Sequence, residues 1–171
     1  MKRSVWSRVD LFARQLTPFA LTVFLVLLPA LPWRLPEFGA VAPLLPLIAV
    51  YHWSIYRPDL MPVGAAFLVG VLQDALTGVP IGVNALVFVA IRAGVETQLR
   101  FFIGKPFGIV WVAFGLVLAA ALLTTWALVA AYYGRLVVVD PVAHQFVVTL
   151  GAFPLISWLL LRWQRAFLRI A

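Results

Sequence analysis

Cysteine is absent from this chain, so disulfides, thiolate nucleophiles and thiolate metal sites are not available to it. Acids are nearly as scarce. Six Asp and Glu and two histidines are the whole stock for acid–base or metal chemistry. No H-E-x-x-H, G-x-x-x-x-G-K or G-x-S-x-G occurs, which removes the signatures of zinc proteases, phosphate-binding loops and serine hydrolases. His52 lies in an aromatic cluster, and His144 opens the last apolar segment beside Gln145. A lone histidine in such a place reads as an interfacial hydrogen bonder rather than a ligand. The expectation is a non-enzyme with no catalytic residue, metal site or cofactor. No fixed-period repeat and no linker divides the chain, so a single transmembrane domain is expected over residues 1–171.

What the chain does have is apolar length. Of its 171 residues 64% are hydrophobic and its mean hydropathy is +1.05, whereas soluble domains are about half apolar. That composition predicts a polytopic membrane protein. At about 20 residues per span, five or six helices fit and no soluble catalytic domain remains. The net charge is +7, but the basic residues gather at the two tails and in one loop. Such a distribution suits membrane topology and anionic lipid better than nucleic acid.

Read in order, residues 1–15 are a basic tail with Val5, Trp6, Val9 and Phe12 spaced to share one face of a short interfacial helix. Six spans are predicted at about 16–31, 38–55, 60–76, 83–103, 107–133 and 142–161. The first is read as uncleaved, because no small-residue cleavage site follows it cleanly and Pro29, Pro32 and Trp33 end it. Arg34 and Glu37 mark the next turn. Pro43 and Pro46 predict irregular first turns in the second span, and Tyr51, His52, Trp53 and Tyr56 predict an aromatic belt at its far surface. Gly134-Arg135 and Asp140-Pro141 bracket the β-branched loop Val137 to Val139, and Pro154 predicts a kink in the sixth span.

With both tails inside, the inner segments hold Lys2, Arg3, Arg8, Arg14, Arg57, Arg100, Lys105, Arg162, Arg165 and Arg169. Outside lie Arg34 and Arg135, with Arg92 left uncounted because its place, within the bilayer or at its edge, is open. This imbalance follows the positive-inside rule and favours an even number of spans. Both termini are then cytoplasmic, and the turn Thr77–Gly82 faces outward.

That turn carries the densest polar signal. Asp74 falls near the end of the third span, where a carboxylate is costly unless it is paired or hydrogen-bonded. Gly78, Pro80 and Gly82 end the helix, and Asn84 is placed to cap the next one. Ala66 and Gly70 form a small-xxx-small pair that permits close helix packing. On the fourth span Arg92, Glu96 and Arg100 stack on one face at i, i+4 and i+8. Two arrangements fit that spacing. One is an exposed charge ladder; the other is an intramembrane network in which Arg92 and Glu96 meet Gln73, Asp74 or a ligand.

The series Tyr51-His52-Trp53, Arg57-Pro58-Asp59, then Gly70-x-x-x-Asp74-x-x-x-Gly78-x-Pro80-x-Gly82-x-Asn84-Ala85-Leu86 resembles the MreD family of bacterial rod-shape-determining membrane proteins. The resemblance covers nearly the whole chain, although His52 departs from the aromatic or aliphatic residue expected there. It implies a non-enzymatic inner-membrane scaffold of the cell-elongation machinery that makes peptidoglycan. The implied protein partners are MreC and, through it, MreB, RodA and a class B penicillin-binding protein. It also implies an all-α, six-helix bundle similar to the S components of energy-coupling-factor transporters. The alternative is a small-molecule-binding subunit of a membrane transporter, with a pocket at the outward turn.

Overall fold

The computed structural model describes residues 17–29, 42–134 and 139–167, and these form helices and connections with no strand among them. In chain order they are α1 (Thr17–Leu27), α2 (Leu45–Tyr56), a single 3-10 turn (Pro58–Leu60), α3 (Val63–Thr77), α4 (Val83–Thr97), α5 (Leu99–Phe102), α6 (Phe107–Tyr133) and α7 (Asp140–Phe167). The basic N-terminal tail, the Pro32–Glu37 turn, and Arg135 with Val137 and Val138 lie outside the described residues, as does Arg169.

Proline and glycine set the element boundaries. α2 begins only at Leu45, with Pro46 in its first turn, where a missing N–H costs nothing. Pro62 precedes α3 and Pro106 precedes α6, each in extended conformation. Gly78 and Gly134 end α3 and α6 in the left-handed region, at φ 69° and 63°, where a side chain would be strained. The predicted fourth span is interrupted at Gln98. There the Thr97 hydroxyl bonds back to the Gly94 carbonyl at 2.8 Å and the chain re-forms as the short α5.

α2 is the centre of the bundle, packed against α3, α4 and α7, while α6 packs on α4 and α7. Leu47 through Trp53 are all nearly or wholly inaccessible. The aromatic belt expected at Tyr51, His52 and Trp53 is therefore buried core. The Tyr51 ring packs against Phe102, Phe114 and Phe153, its hydroxyl donates to the Val110 carbonyl at 3.1 Å, and only Tyr56 is half-buried. The reason is geometric: a helix surrounded on every side has no polar face, so its pattern cannot separate core from interface.

The outer helices show the reverse. α6 and α7 are long and apolar enough to cross a membrane, yet only 28% and 22% of their most apolar windows are buried. Val112 and Leu116 on α6, and Val147, Leu155 and Trp158 on α7, are exposed. An outward apolar surface of that kind has lipid as its natural solvent. α7 runs through Pro154 as helix.

Candidate functional site: two polar clasps on the α3–α4 hairpin

Ala66, Gly70 and Asp74 recur every four residues, so they share the face of α3 that meets α4. Ala66 is fully buried. At Gly70 the two backbones touch: an added Cβ would overlap the Ala85 Cα and lie 2.6 Å from the Ala85 nitrogen. Only glycine permits this approach. The small-residue pair thus closes the hairpin upon itself.

One turn beyond Gly70, Asp74 is wholly buried and accepts every hydrogen bond that the start of α4 offers it. The Gly82 N–H donates to Oδ2 at 2.8 Å and the Asn84 N–H to Oδ1 at 2.9 Å. The Asn84 side-chain amide gives the carboxylate a third bond, at Oδ1 and 2.8 Å, and the Ala85 N–H reaches Oδ2 at 3.4 Å. The first amides of a helix have no intrahelical acceptor and carry partial positive charge, so a carboxylate there is stabilised without a counter-ion. Asn84 consequently does not cap α4. Gly82 occupies the cap position at φ 109° with no side-chain cap bond, and Asp74 of the preceding helix does the capping while Asn84 donates to it. Gly78 at φ 69° and the Val83 N–H to Pro80 carbonyl bond at 3.2 Å shape the turn that brings them together.

The second clasp lies at the other end of the hairpin. Arg92 is 4% exposed, and its guanidinium donates to the Met61 carbonyl at 2.6 Å and the Pro58 carbonyl at 3.1 Å. Its third bond goes to Glu96 at 3.0 Å. Glu96 itself is more than half exposed. Arg92 therefore ties α4 to the connection that feeds α3, through the Pro58 and Met61 carbonyls.

The polar network anticipated among Gln73, Arg92, Glu96 and Arg100 is divided. Arg92 and Glu96 pair, Arg100 is exposed on α5, and Gln73 lies at the opposite end of the hairpin among residues of α1, the segment just before α2, and α7. Asp74 and Arg92 do not meet either. The Asn84 amide bonded to Asp74 and Arg92 are eight residues apart on α4, about 12 Å along its axis.

Sequence reading overlooked the polar side of α7. Thr149 accepts from the Leu44 N–H at 3.0 Å, and Ser157 is 3.1 Å from Nδ1 of the buried His52. Their spacing of eight residues places both on one face, two turns apart, and that period in an apolar helix was the available signal. Chemically, the Asp74 site holds charge and fixes geometry. Among the described residues the carboxylate bonds to no titratable side chain, and no three His, Cys, Asp or Glu side chains come together as a metal site.

The family model for the rod shape-determining protein MreD matches residues 11–169 of this chain. An uncharacterized protein of Rickettsia prowazekii (strain Madrid E) is 30% identical over 98 residues, covering 56% of this chain. The match spans about half of that relative, 55% of its length. No solved structure matches.

Proposed function

This chain belongs to the MreD family of rod shape-determining membrane proteins, and we propose from that membership that it is a non-enzymatic scaffold of the cell-elongation complex that directs peptidoglycan synthesis. The observation that carries the reading is the family match across residues 11–169. The physical character of the molecule supports it: buried charge is consumed in holding helices together, and apolar surface is left outward for lipid and for other membrane helices. The proposed partners are MreC and, through it, MreB, RodA and a class B penicillin-binding protein. Since Ala66 and Gly70 are engaged inside the hairpin, partner contacts belong to the lipid-facing sides. There van der Waals packing and a few polar bonds must drive association, because lipid removes the hydrophobic effect between helices.

In this proposal the protein is one six-span domain of the bacterial inner membrane, with a fold similar to the S components of energy-coupling-factor transporters. Both termini are cytoplasmic and the Asp74 turn faces outward, following the asymmetry of basic residues. Gly70, Asp74, Gly78, Pro80, Gly82 and Asn84 are the structural motif that holds the scaffold in shape.

Two measurements test it. Depletion in the native host should turn rods into round cells, and no added nutrient should restore them. Rescue by a nutrient would favour the transporter reading. For topology, the lack of native cysteine gives a clean background. A cysteine at Ile81, which is 77% exposed at the turn, should react with a membrane-impermeant maleimide in spheroplasts. One at Lys105 should not, and the reverse pattern refutes the orientation.

A further inference from the structure

The outward apolar surface of this protein is not even. Near the start of α6 it sinks into an open hollow of about 620 Å³, walled by Gly108, Val112 and Leu116, by the Trp111 ring and by Phe101 of α5. The walls are almost wholly carbon, and Val112 and Leu116 are 66% and 71% exposed. The Trp111 indole N–H donates to the Leu150 carbonyl of α7 at 3.1 Å, so that ring is a fixed wall with its polar atom already satisfied. The hollow follows α6 from Pro106 to Leu116, about 15 Å of helix. That is half of the bilayer's hydrocarbon core of about 30 Å, the depth of one leaflet.

The mouth of this hollow is basic. Lys105 immediately precedes Pro106, and its ammonium lies over the Phe101 ring, 5.5 Å from the ring centre. Arg100 adjoins Phe101 in α5. Both cations are exposed, and among the described residues neither side chain has a hydrogen bond or an ion pair. A ring contact of this kind leaves the ammonium donors free to bind an anion. The depth is also suitable. α6 has 27 residues, about 40 Å, which exceeds the hydrocarbon core by more than one turn at each end. Its first turn, and Lys105 before it, therefore lie at the level of the lipid headgroups.

We propose that this hollow binds one anionic glycerophospholipid, with an acyl chain lying along α6 and its phosphate on Lys105 and Arg100. The charge at the mouth calls for an anion at headgroup depth, and the carbon walls below it call for a chain one leaflet long. A phospholipid supplies both parts in one molecule and in that order. Each basic residue near the surface favours anionic over neutral lipid by about fivefold. The proposal rests on the membrane reading given above, and the inner leaflet is the source because the same reading makes Lys105 cytoplasmic.

The full chain, purified in detergent and stripped of lipid, is titrated with dioleoyl phosphatidylglycerol or dioleoyl phosphatidylcholine. Native mass spectrometry reads the adducts and thermal melting reads their effect. Phosphatidylglycerol should add one saturable equivalent, at least about tenfold tighter than phosphatidylcholine, and raise Tm. Lys105→Gln should weaken that equivalent by about fivefold and leave the lipid-free Tm unchanged, since the side chain is exposed. Gly108→Leu should fill the hollow and abolish the first equivalent of either lipid. It should fold as the wild type does, because a Cβ at Gly108 meets nothing within 4 Å. Arg57→Gln removes a charge from the same side of the membrane but from a residue paired with Asp59, and should leave binding intact. The proposal is overturned if phosphatidylglycerol binds no better than phosphatidylcholine, or if Lys105→Gln and Gly108→Leu bind as the wild type does, as expected were a partner's helix the true occupant. It is equally overturned if Arg57→Gln weakens binding as much as Lys105→Gln. Binding in detergent does not depend on orientation, so such a failure is separate from the outcome of cysteine labelling or depletion.

Discussion

The two ends of the α3–α4 hairpin carry buried charges of opposite sign, and they are satisfied in different ways. Asp74 takes its bonds from residues eight to eleven positions ahead, mostly backbone amides of one helix start. Arg92 reaches residues 31 and 34 positions back, and its one charged partner, Glu96, is more than half exposed. An acid finds what it needs at a helix N-terminus, where amides converge over a few residues. A base needs carbonyls, and inside a bundle the free ones belong to irregular connections far off in the chain. The acid is also the shorter side chain and is sealed from solvent, whereas the arginine lies beside a hydrated carboxylate. Losing Asp74 should therefore cost more than losing Arg92.

The strongest way to break that comparison is to separate the two helices altogether. Gly70→Leu, and Gly70→Ala with it, should remove both clasps, because any Cβ at this position strikes the Ala85 backbone. The cost should reach or pass the upper end of roughly 1–3 kcal/mol for overpacking, read as loss of the protein from membranes by immunoblot. Normal accumulation of Gly70→Ala would refute the close approach. Next comes Asp74→Leu, which strands the Gly82 and Asn84 amides in a dry site. With charge-assisted bonds at about 1.5–3 kcal/mol each, it should lower stability by at least ~3 kcal/mol in detergent melting. Asp74→Asn keeps one acceptor and should fall between it and the wild type.

Arg92→Met should be milder, at about 2 kcal/mol, because Glu96 is left hydrated and the Pro58 and Met61 carbonyls lose charge-assisted bonds without gaining a buried charge. A melting shift larger than that of Asp74→Leu would reverse the ranking of the two ends. Smallest of all, Glu96→Gln should change stability by about 0–1 kcal/mol, the range of partly exposed pairs. A loss well above this would show that Glu96 anchors the Arg92 clasp rather than decorating it.

Much of the Asp74 clasp was readable from residues alone, because its parts are local. Gly70, Asp74, Gly78, Gly82 and Asn84 fall within one hairpin, and a buried acid just before a turn demands donors from just after it. The one misreading there, Asn84 as the cap, came from scoring the helix start by its own residues; the acceptor was supplied by the preceding helix. The Arg92 clasp was legible only as two alternatives, since i, i+4 spacing aligns Arg92 with Glu96 whether the face is wet or buried. The aromatic run at Tyr51–Trp53 was misplaced for a related reason. In an all-apolar helix, periodicity carries no direction.

What the sequence determined by itself is therefore the helical character, the membrane as solvent, the turn between α3 and α4 and the family. These rest on apolar length, on proline and glycine, and on the order of a few motif residues, all of which act over short stretches of chain. What only the tertiary structure decided is which surfaces are inside. It made α2 the buried centre, set Gly70 against Ala85, and sent Arg92 to the Pro58 and Met61 carbonyls. In a soluble protein the polar faces would have announced much of this. Where the solvent is as apolar as the core, inward and outward side chains are drawn from the same residues, and only packing tells them apart.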